Sequence, residues 1–347
     1  MIIFTKAIKH YMTELPINNR DKRIDFYKAL LMFSVVWGHT INIMLNGSSC
    51  ACNISWFLRT FDMPMFMFLS GFFLKFSIKK YSISSLLINK TSYILFPAVI
   101  WSLLVSFGHK PYTLYFLWAV YLSSVVVVLI ERSRNKILKI VLYLSLTLIV
   151  HLTRFDFVNL SYLAPFFLLG FYRKSLEKNY IWMVPIYVLL ICFWNADYSI
   201  WKAGSFILGN PNHMLKVVSF RFLVGCVGLF SMKLLFDIIY DYINQSCFTP
   251  NATYGNFGGG ILNIGRETLA IYIFQAIATY GILRLLVKNI VQMLGYNPFM
   301  WNERLLIYII SPLLSVFILF ISLKTIHFFR TYYYLDRLFG FKMIKEE

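Results

Sequence analysis

The sequence predicts an all-α integral membrane protein, a polytopic bundle of about ten transmembrane helices with both termini in the cytoplasm. Three observations carry this. Of 347 residues, 59% are hydrophobic and only 14% are charged, whereas soluble domains are about one quarter charged. The apolar residues gather into stretches of about twenty, the length that crosses a bilayer core. The 33 Lys and Arg are spread unevenly over the connections between those stretches.

In chain order the stretches fall at 26–46, 54–76, 86–107, 112–130, 137–152, 158–173, 180–196, 217–243, 266–287 and 304–329. The remainder has no room for an independent soluble domain, so residues 1–347 read as a single membrane domain. A cytoplasmic tail covers 1–25, the helical bundle 26–329 and a second cytoplasmic tail 330–347. The first twenty residues hold Lys6, Lys9 and His10 but no continuous apolar core, so the first stretch is expected to remain as an anchor rather than be cleaved as a signal peptide. The short sixth stretch, interrupted by Pro165, and the polar segment Asn244 to Gly265 are the two places where a re-entrant segment would replace a full crossing.

With the N-terminus inside, the inner segments hold 23 of the 33 basic residues and the outer segments hold 8, with Lys28 and Arg59 inside spans. That asymmetry is the positive-inside rule, and it places the chain in the bacterial inner or plasma membrane as a multi-pass protein. It also accounts for the net charge of +18 without nucleic acid, since the cations are not clustered on one soluble face. Five cysteines without a CxxC pair provide neither a disulfide nor a zinc framework, no metal site is expected, and Cys50 and Cys52 receive no role. Gly255-Asn256-Phe257-Gly258-Gly259-Gly260 lacks the Lys-Ser/Thr of a phosphate-binding loop and reads as a flexible linker. Asn251-Ala252-Thr253 matches a glycosylation acceptor but falls on the cytoplasmic side.

Hydrocarbon penalises a mid-span charge by about 2.5 to 3.5 kcal/mol, so the exceptions are where function is to be sought. The first two spans hold the densest set. Lys28 and His39 are eleven residues apart, close to three whole helical turns, so they share a face with Asp25, Met32 and Val35. His39 then lies about 16 Å beyond Lys28, in the outer half of the bilayer. His10, His109, His151, His213 and His327 fall in tails, loops or span ends, which leaves His39 as the deep histidine and the first catalytic candidate. A neutral imidazole there can take a proton from a hydroxyl; the plainer alternative is a histidine that bonds a neighbouring helix and fixes packing.

On the second span, Arg59 and Asp62 are i and i+3 and are placed to pair on one helix. Asp62 lies about 12 Å deep, at a depth similar to His39, where a carboxylate would orient the ring and stabilise its charged form. Pro64 is expected to bend this helix and free a carbonyl. Ser70 has no histidine near it in depth, and with Gly71 beside it the pair reads as close helix packing rather than a nucleophile. Arg266 and Glu267 lie near the inner boundary of the ninth span, where mutual pairing is the plain account and a second acid or base the sharper one. The many Phe and Tyr mostly face lipid or anchor at the interface, with some outer ones able to stack on a sugar.

These two spans together resemble the membrane-bound acyltransferase 3 family. Its first helix shows a basic residue, ten intervening positions and a histidine, matched by Lys28 and His39 with Asp25 preceding. Its second carries a phrase similar to Phe61 through Phe72, and a weaker late match runs from Ile264 to Gln275. Three departures stand out. Asp62 occupies the phrase's usual histidine position, Gln275 stands where a histidine is common, and the family's cytoplasmic Arg-x-x-Arg is reduced to Lys90-Thr91-Ser92-Tyr93.

The resemblance implies an O-acyltransferase that moves an acyl group, most often acetyl from acetyl-CoA, to a hydroxyl of a cell-surface polysaccharide or a lipid-linked precursor. His39 would be the general base with Asp62 beside it. Acyl-CoA would be a co-substrate with no bound cofactor, and Arg23, Lys28 and Lys90 would meet its phosphates at the inner mouth. Asp25, Arg59, Pro64, Ser70, Gly71 and Glu267 would support the site. Membrane lipid is a partner and nucleic acid is not. The main rival is a multispanning transporter or flippase for glycan precursors, which would also bury polar residues at mid-depth.

Overall fold

The computed structural model describes residues 21–45, 53–105, 114–131, 135–143, 160–174, 180–194, 198, 211–247, 257–297 and 302–330. Most of the residues counted as tails, the segment 144–152 of the fifth stretch, Cys50, Cys52 and the Asn251 acceptor lie outside them. Among the described residues every regular element is helical.

The elements are α1 (Lys22–Met44), α2 (Asn53–Leu58), α3 (Asp62–Lys80), α4 (Ile83–Lys90), α5 (Phe96–Val105), α6 (Tyr115–Glu131), α7 (Leu160–Tyr172), α8 (Met183–Cys192), α9 (Pro211–Cys247), α10 (Phe257–Arg266), α11 (Thr268–Ala276), α12 (Arg284–Leu294), α13 (Glu303–Leu305) and α14 (Ser311–Arg330). A further helical stretch covers 136–143. Five helical runs are long and apolar enough to cross a membrane: Asn53–Lys80, Ile83–Leu103, Lys216–Asn244, Thr268–Leu294 and Glu303–Phe329. The fourth, sixth and seventh predicted stretches appear as shorter apolar helices, and α1, with Lys22, Arg23, Asp25 and Lys28 in its first two turns, is not among the five.

Three of these runs are threaded by π-helical turns, at Thr91–Leu95, Ile277–Leu283 and Leu306–Ile310. Two have a local cause. Pro97 and Pro312 follow the first and third turns, and a proline ring pushes the carbonyl four residues back out of line while removing its own donor. The chain accommodates this with a wider turn, in which Phe96 N–H reaches Thr91 O and Ser311 N–H reaches Leu306 O. No proline follows the turn at Ile277–Leu283.

The bundle is arranged with its polar side inward. Val188, Leu189, Phe193, Leu313, Phe317 and Phe320 are exposed, whereas Asp25, Asp62, Lys233, Asp237 and Gln275 are buried. A soluble protein would be destabilised by that distribution; lipid as solvent stabilises it. At the centre stands α1, in contact with α2, α3, α9, α10, α11, α12 and α14. It starts at Asp21, whose side chain accepts from Arg23 N–H at 2.9 Å. Along α14 it forms a polar seam, with Trp37 Nε1 donating to Ser311 Oγ at 2.9 Å and Ser315 Oγ donating to Thr40 Oγ1 at 3.2 Å.

Close helix packing at Gly71 is borne out. A Cβ there would overlap the carbonyl oxygen of Phe167, and a Cβ at Gly170 would overlap that of Phe68, so the two glycines let the backbones of α3 and α7 touch. Gly265 serves the same purpose between α10 and α1, against the backbone of Asp25. Ser70 Oγ donates to Phe66 O at 2.8 Å within its own helix.

Four expectations are corrected. Arg59 and Asp62 do not lie on one helix, because the chain breaks at 59–61 between α2 and α3. Pro64 therefore sits in the first turn of α3, where its missing N–H has no intrahelical partner to lose, and the bend precedes it. Phe257 to Gly260 is not a flexible linker but the first turn of α10. Lys233, counted with the inner segments, is buried within α9 and bonds Asp237 Oδ2 at 2.7 Å.

Candidate functional site

His39 lies on the fifth turn of α1, on the stripe with Asp25, Lys28, Met32 and Val35, and this stripe faces the interior. Its Nδ1 is 2.8 Å from the hydroxyl of Tyr280, with the two rings edge to face at 5.1 Å. Tyr280 is presented by the π turn Ile277–Leu283, which also holds Thr279, whose hydroxyl donates to Gln275 O at 2.6 Å. The extra residue in a π turn rotates everything after it by most of a third of a turn, and such turns recur at functional sites.

The bond that Asp62 makes is local. Its Oδ1 accepts the N–H of Met63 at 2.5 Å at the start of α3. Arg59, at the break before α3, is within electrostatic reach of both His39 and Asp62. The expected orienting contact to the imidazole is thus made by Tyr280, with Arg59 as the charge common to ring and carboxylate.

Around them stand tyrosines from three other helices. Tyr115 opens α6, Tyr162 lies in the first turn of α7, and Tyr187 lies on α8 with its hydroxyl on Thr60 Oγ1 at 2.5 Å. Arg221 of α9 lies over the Tyr162 ring, 4.4 Å from its centroid. Tyr115 is in electrostatic range of Asp62, Arg59, Tyr280 and Arg221 together. His39, Tyr115, Tyr162 and Tyr280 are each partly buried. A Cβ added to Gly38, next to His39, would meet nothing within 4 Å. An imidazole, two guanidiniums, a carboxylate and several phenols near one another suit proton transfer to and from a hydroxyl.

The predicted inner-mouth cations are placed separately. Arg23 is engaged by Asp241 at 3.2 Å, by Asp237 at 3.9 Å and by the Tyr240 ring at 5.4 Å. Lys28 lies over the Phe73 ring at 4.6 Å, and Lys90 ends α4. Asp25 is buried and pairs with Arg266, whose Nε lies 3.5 Å from Asp25 Oδ2. Glu267 stands between α10 and α11, its N–H on Asn263 O and its carbonyl accepting Ile271 N–H. Gln275, at the family's late histidine position, is fully buried and donates to Tyr272 O at 3.1 Å. Among the described residues no group of three His, Cys, Asp or Glu is arranged to hold a metal.

Tyr280, Arg221, Tyr115, Tyr162 and Tyr187 were not singled out from sequence. With 23 tyrosines in the chain, a phenol within an apolar stretch marks nothing by itself. Arg221, five residues into its stretch, resembles a loop cation left by the positive-inside rule.

Residues 21–113 match the model of a family described as an acyltransferase domain. The resemblance read from the first two spans is thereby borne out. The chain is similar to nodulation protein NolL of Sinorhizobium fredii, 28% identical over 188 residues, covering 47% of this chain and 51% of that protein. It is also similar to nodulation protein NolL of Mesorhizobium japonicum, 23% identical over 296 residues, covering 74% of this chain and 76% of that protein. The chain thus spans about half the length of the first relative. No solved structure matches.

Proposed function

With an acyltransferase domain identified over residues 21–113, we propose that this protein is a membrane-bound O-acyltransferase that moves an acyl group, acetyl from acetyl-CoA, onto a hydroxyl of a cell-surface glycan or its lipid-linked precursor. The carrying observation is that the matched segment contains His39, whose Nδ1 meets the Tyr280 hydroxyl, a pair suited to handling a hydroxyl proton. The chain would lie in the cell membrane as a ten-span bundle with cytoplasmic termini, supported by its apolar exterior and the bias of its basic residues.

A thioester is already activated, so the acceptor needs a base, proximity and stabilisation of the developing oxyanion. His39 Nε2 takes the hydroxyl proton while the acceptor oxygen bonds the thioester carbon. The C–S bond then breaks and the imidazolium returns the proton to the coenzyme A thiolate. For Nε2 to hold a lone pair, Nδ1 must carry the hydrogen, and in that tautomer it donates to the Tyr280 oxygen 2.8 Å away. Arg59 supplies positive charge for the oxyanion, and Asp62 balances Arg59. Lys28 and Lys90 meet the phosphates of the donor at the inner side. Arg23, held by two carboxylates, contributes less.

The test is purified protein in lipid vesicles with acetyl-labelled acetyl-CoA and surface glycan from the host. Label on the glycan, or released as acetate, that disappears in His39→Ala supports the reading. Glycan transport without transfer of label would replace it with the transporter.

A further inference from the structure

The proposed reaction leaves α12 unused, although it follows directly on the π turn that carries Tyr280. The helix has three sides. Val287 is buried against the bundle, while Leu286 and Met293 are exposed and make an apolar side for lipid. Arg284, Lys288 and Gln292 are also exposed and, at a spacing of four, stand in one row. That row leads back to His39. Tyr280 is four residues before Arg284 and within its electrostatic reach, and the Tyr280 hydroxyl is the group 2.8 Å from His39 Nδ1. At about 1.5 Å of rise per residue, Arg284 lies about 6 Å and Lys288 about 12 Å beyond Tyr280.

Gly295, at a left-handed φ of 72°, stops α12, and Asn297 Nδ2 then donates to Met44 O at 3.1 Å. The row therefore ends beside the C-terminal end of α1, five residues past His39, whereas Lys28 lies eleven residues back toward the start of that helix. The two sets of cations flank His39 from opposite ends. Like charges at a spacing of four repel each other, and among the described residues no carboxylate pairs with Arg284 or Lys288. An anion between them removes the repulsion. A phosphate offers oxygens to a guanidinium and an ammonium at once, and the Gln292 amide adds further N–H donors. Because α12 also carries an exposed apolar side, the phosphate that suits the row is one attached to a lipid.

We infer that Arg284 and Lys288, with Gln292, form a surface ridge that binds the phosphate of a lipid-linked sugar, so that the sugar lies along the row toward Tyr280 and brings a hydroxyl to His39. This rests on the acyl-transfer reading, because it assigns the acceptor of that same site. No bond is made or broken at the ridge; it holds the acceptor by its phosphate.

Binding is measured without chemistry, on the full chain in nanodiscs of phosphatidylcholine. The probes are undecaprenyl phosphoglucose, undecaprenyl glucoside, which lacks the phosphate, and phosphatidylglycerol, which has the same charge without a sugar. The phosphoglucose should bind about tenfold more tightly than the glucoside, the scale of one charge-assisted contact, and more tightly than phosphatidylglycerol. Arg284→Gln with Lys288→Gln should abolish the preference for phosphate, and Arg284→Lys should retain part of it. Both side chains are exposed, so the fold should survive, and Lys216→Gln, exposed on α9, should leave the preference intact. No preference for phosphate in the wild type, or one unchanged in the double variant, overturns the inference. Equal binding of phosphatidylglycerol also overturns it, since the ridge would then be an ordinary lipid contact. Acyl transfer is measured separately with labelled acetyl-CoA, so transfer without phosphate preference sinks the ridge alone. Selective binding with no transfer by the wild type overturns the acyl-transfer reading, and with it the ridge's role in holding an acceptor.

Discussion

The hydroxyl of Tyr280 lies 2.8 Å from Nδ1 of His39, joining α1 to the π turn that follows α11. In the tautomer the reaction needs, Tyr280 accepts from Nδ1–H and fixes which face of the imidazole Nε2 presents. Tyr280→Phe keeps the ring but removes the acceptor. It should lower kcat roughly tenfold to a hundredfold, within the range that proton-transfer groups contribute, and leave KM for acyl-CoA within about twofold. His39→Ala should fall to background. Initial rates with labelled acetyl-CoA check both, and an unchanged kcat in Tyr280→Phe would remove it from the mechanism.

The two touching backbones of α3 and α7 make a stability prediction. Gly71→Ala and Gly170→Ala each drive a methyl into a carbonyl of the facing helix that cannot rotate away, so each should destabilise the protein by about 2 kcal/mol or more. Gly38 is the contrast, since a Cβ there meets nothing within 4 Å. Gly38→Ala should stabilise α1 by up to about 1 kcal/mol through helix propensity. Melting in detergent ranks the three, and a tolerated Gly71→Ala would contradict the packing described.

A buried polar network ties α1 to α9. Tyr27 donates to Asp237 Oδ1, and Lys233 bonds Asp237 Oδ2 at 2.7 Å. Lys233 and Asp237 are both almost fully covered, so removing one leaves the other's charge buried without it. Asp237→Leu alone is expected to cost about 3 to 5 kcal/mol, whereas Lys233→Met with Asp237→Leu should recover most of it. A double-mutant cycle read by thermal melting checks this. A double variant no more stable than Asp237→Leu would show that the pair is not the unit.

How much of this was legible in the sequence depends on which residues one asks about. The stripe from Asp25 to His39 could be read because eleven residues are close to three turns and because hydrocarbon makes every polar exception conspicuous. Gly71 could be read because small residues mark helix contacts in lipid. The break at 59–61 was misplaced onto Pro64, since a proline is visible in a sequence and the end of a preceding helix is not. Tyr280 and Arg221 were invisible for another reason. Their roles depend on rotation about a helix axis, set by a π turn with no proline to mark it and by glycines whose partners lie on other helices. The pairing of Arg266 with Asp25 has the same origin, because Gly265 brings α10 against α1.

The inner cations divide by their partners. Arg23 is spread between Asp237 and Asp241 and is about half exposed, so its ion pairs contribute about 1 kcal/mol or less. Arg23→Gln should therefore trim stability slightly and change KM for acyl-CoA by less than about twofold. Lys28, over an aromatic face on the stripe that carries His39, and Lys90, at the last turn of α4, are the cations proposed to meet the donor's phosphates. Lys28→Gln and Lys90→Gln should each raise KM for acyl-CoA roughly threefold to tenfold with kcat little changed, because a ground-state charge contact is lost while the reacting atoms are untouched. The wild-type advantage should also shrink as salt rises from 0.05 to 0.5 M, since the Debye length falls below about 5 Å over that range. Steady-state kinetics at two salt concentrations test this. A KM that ignores both lysines and salt would mean that the donor enters elsewhere.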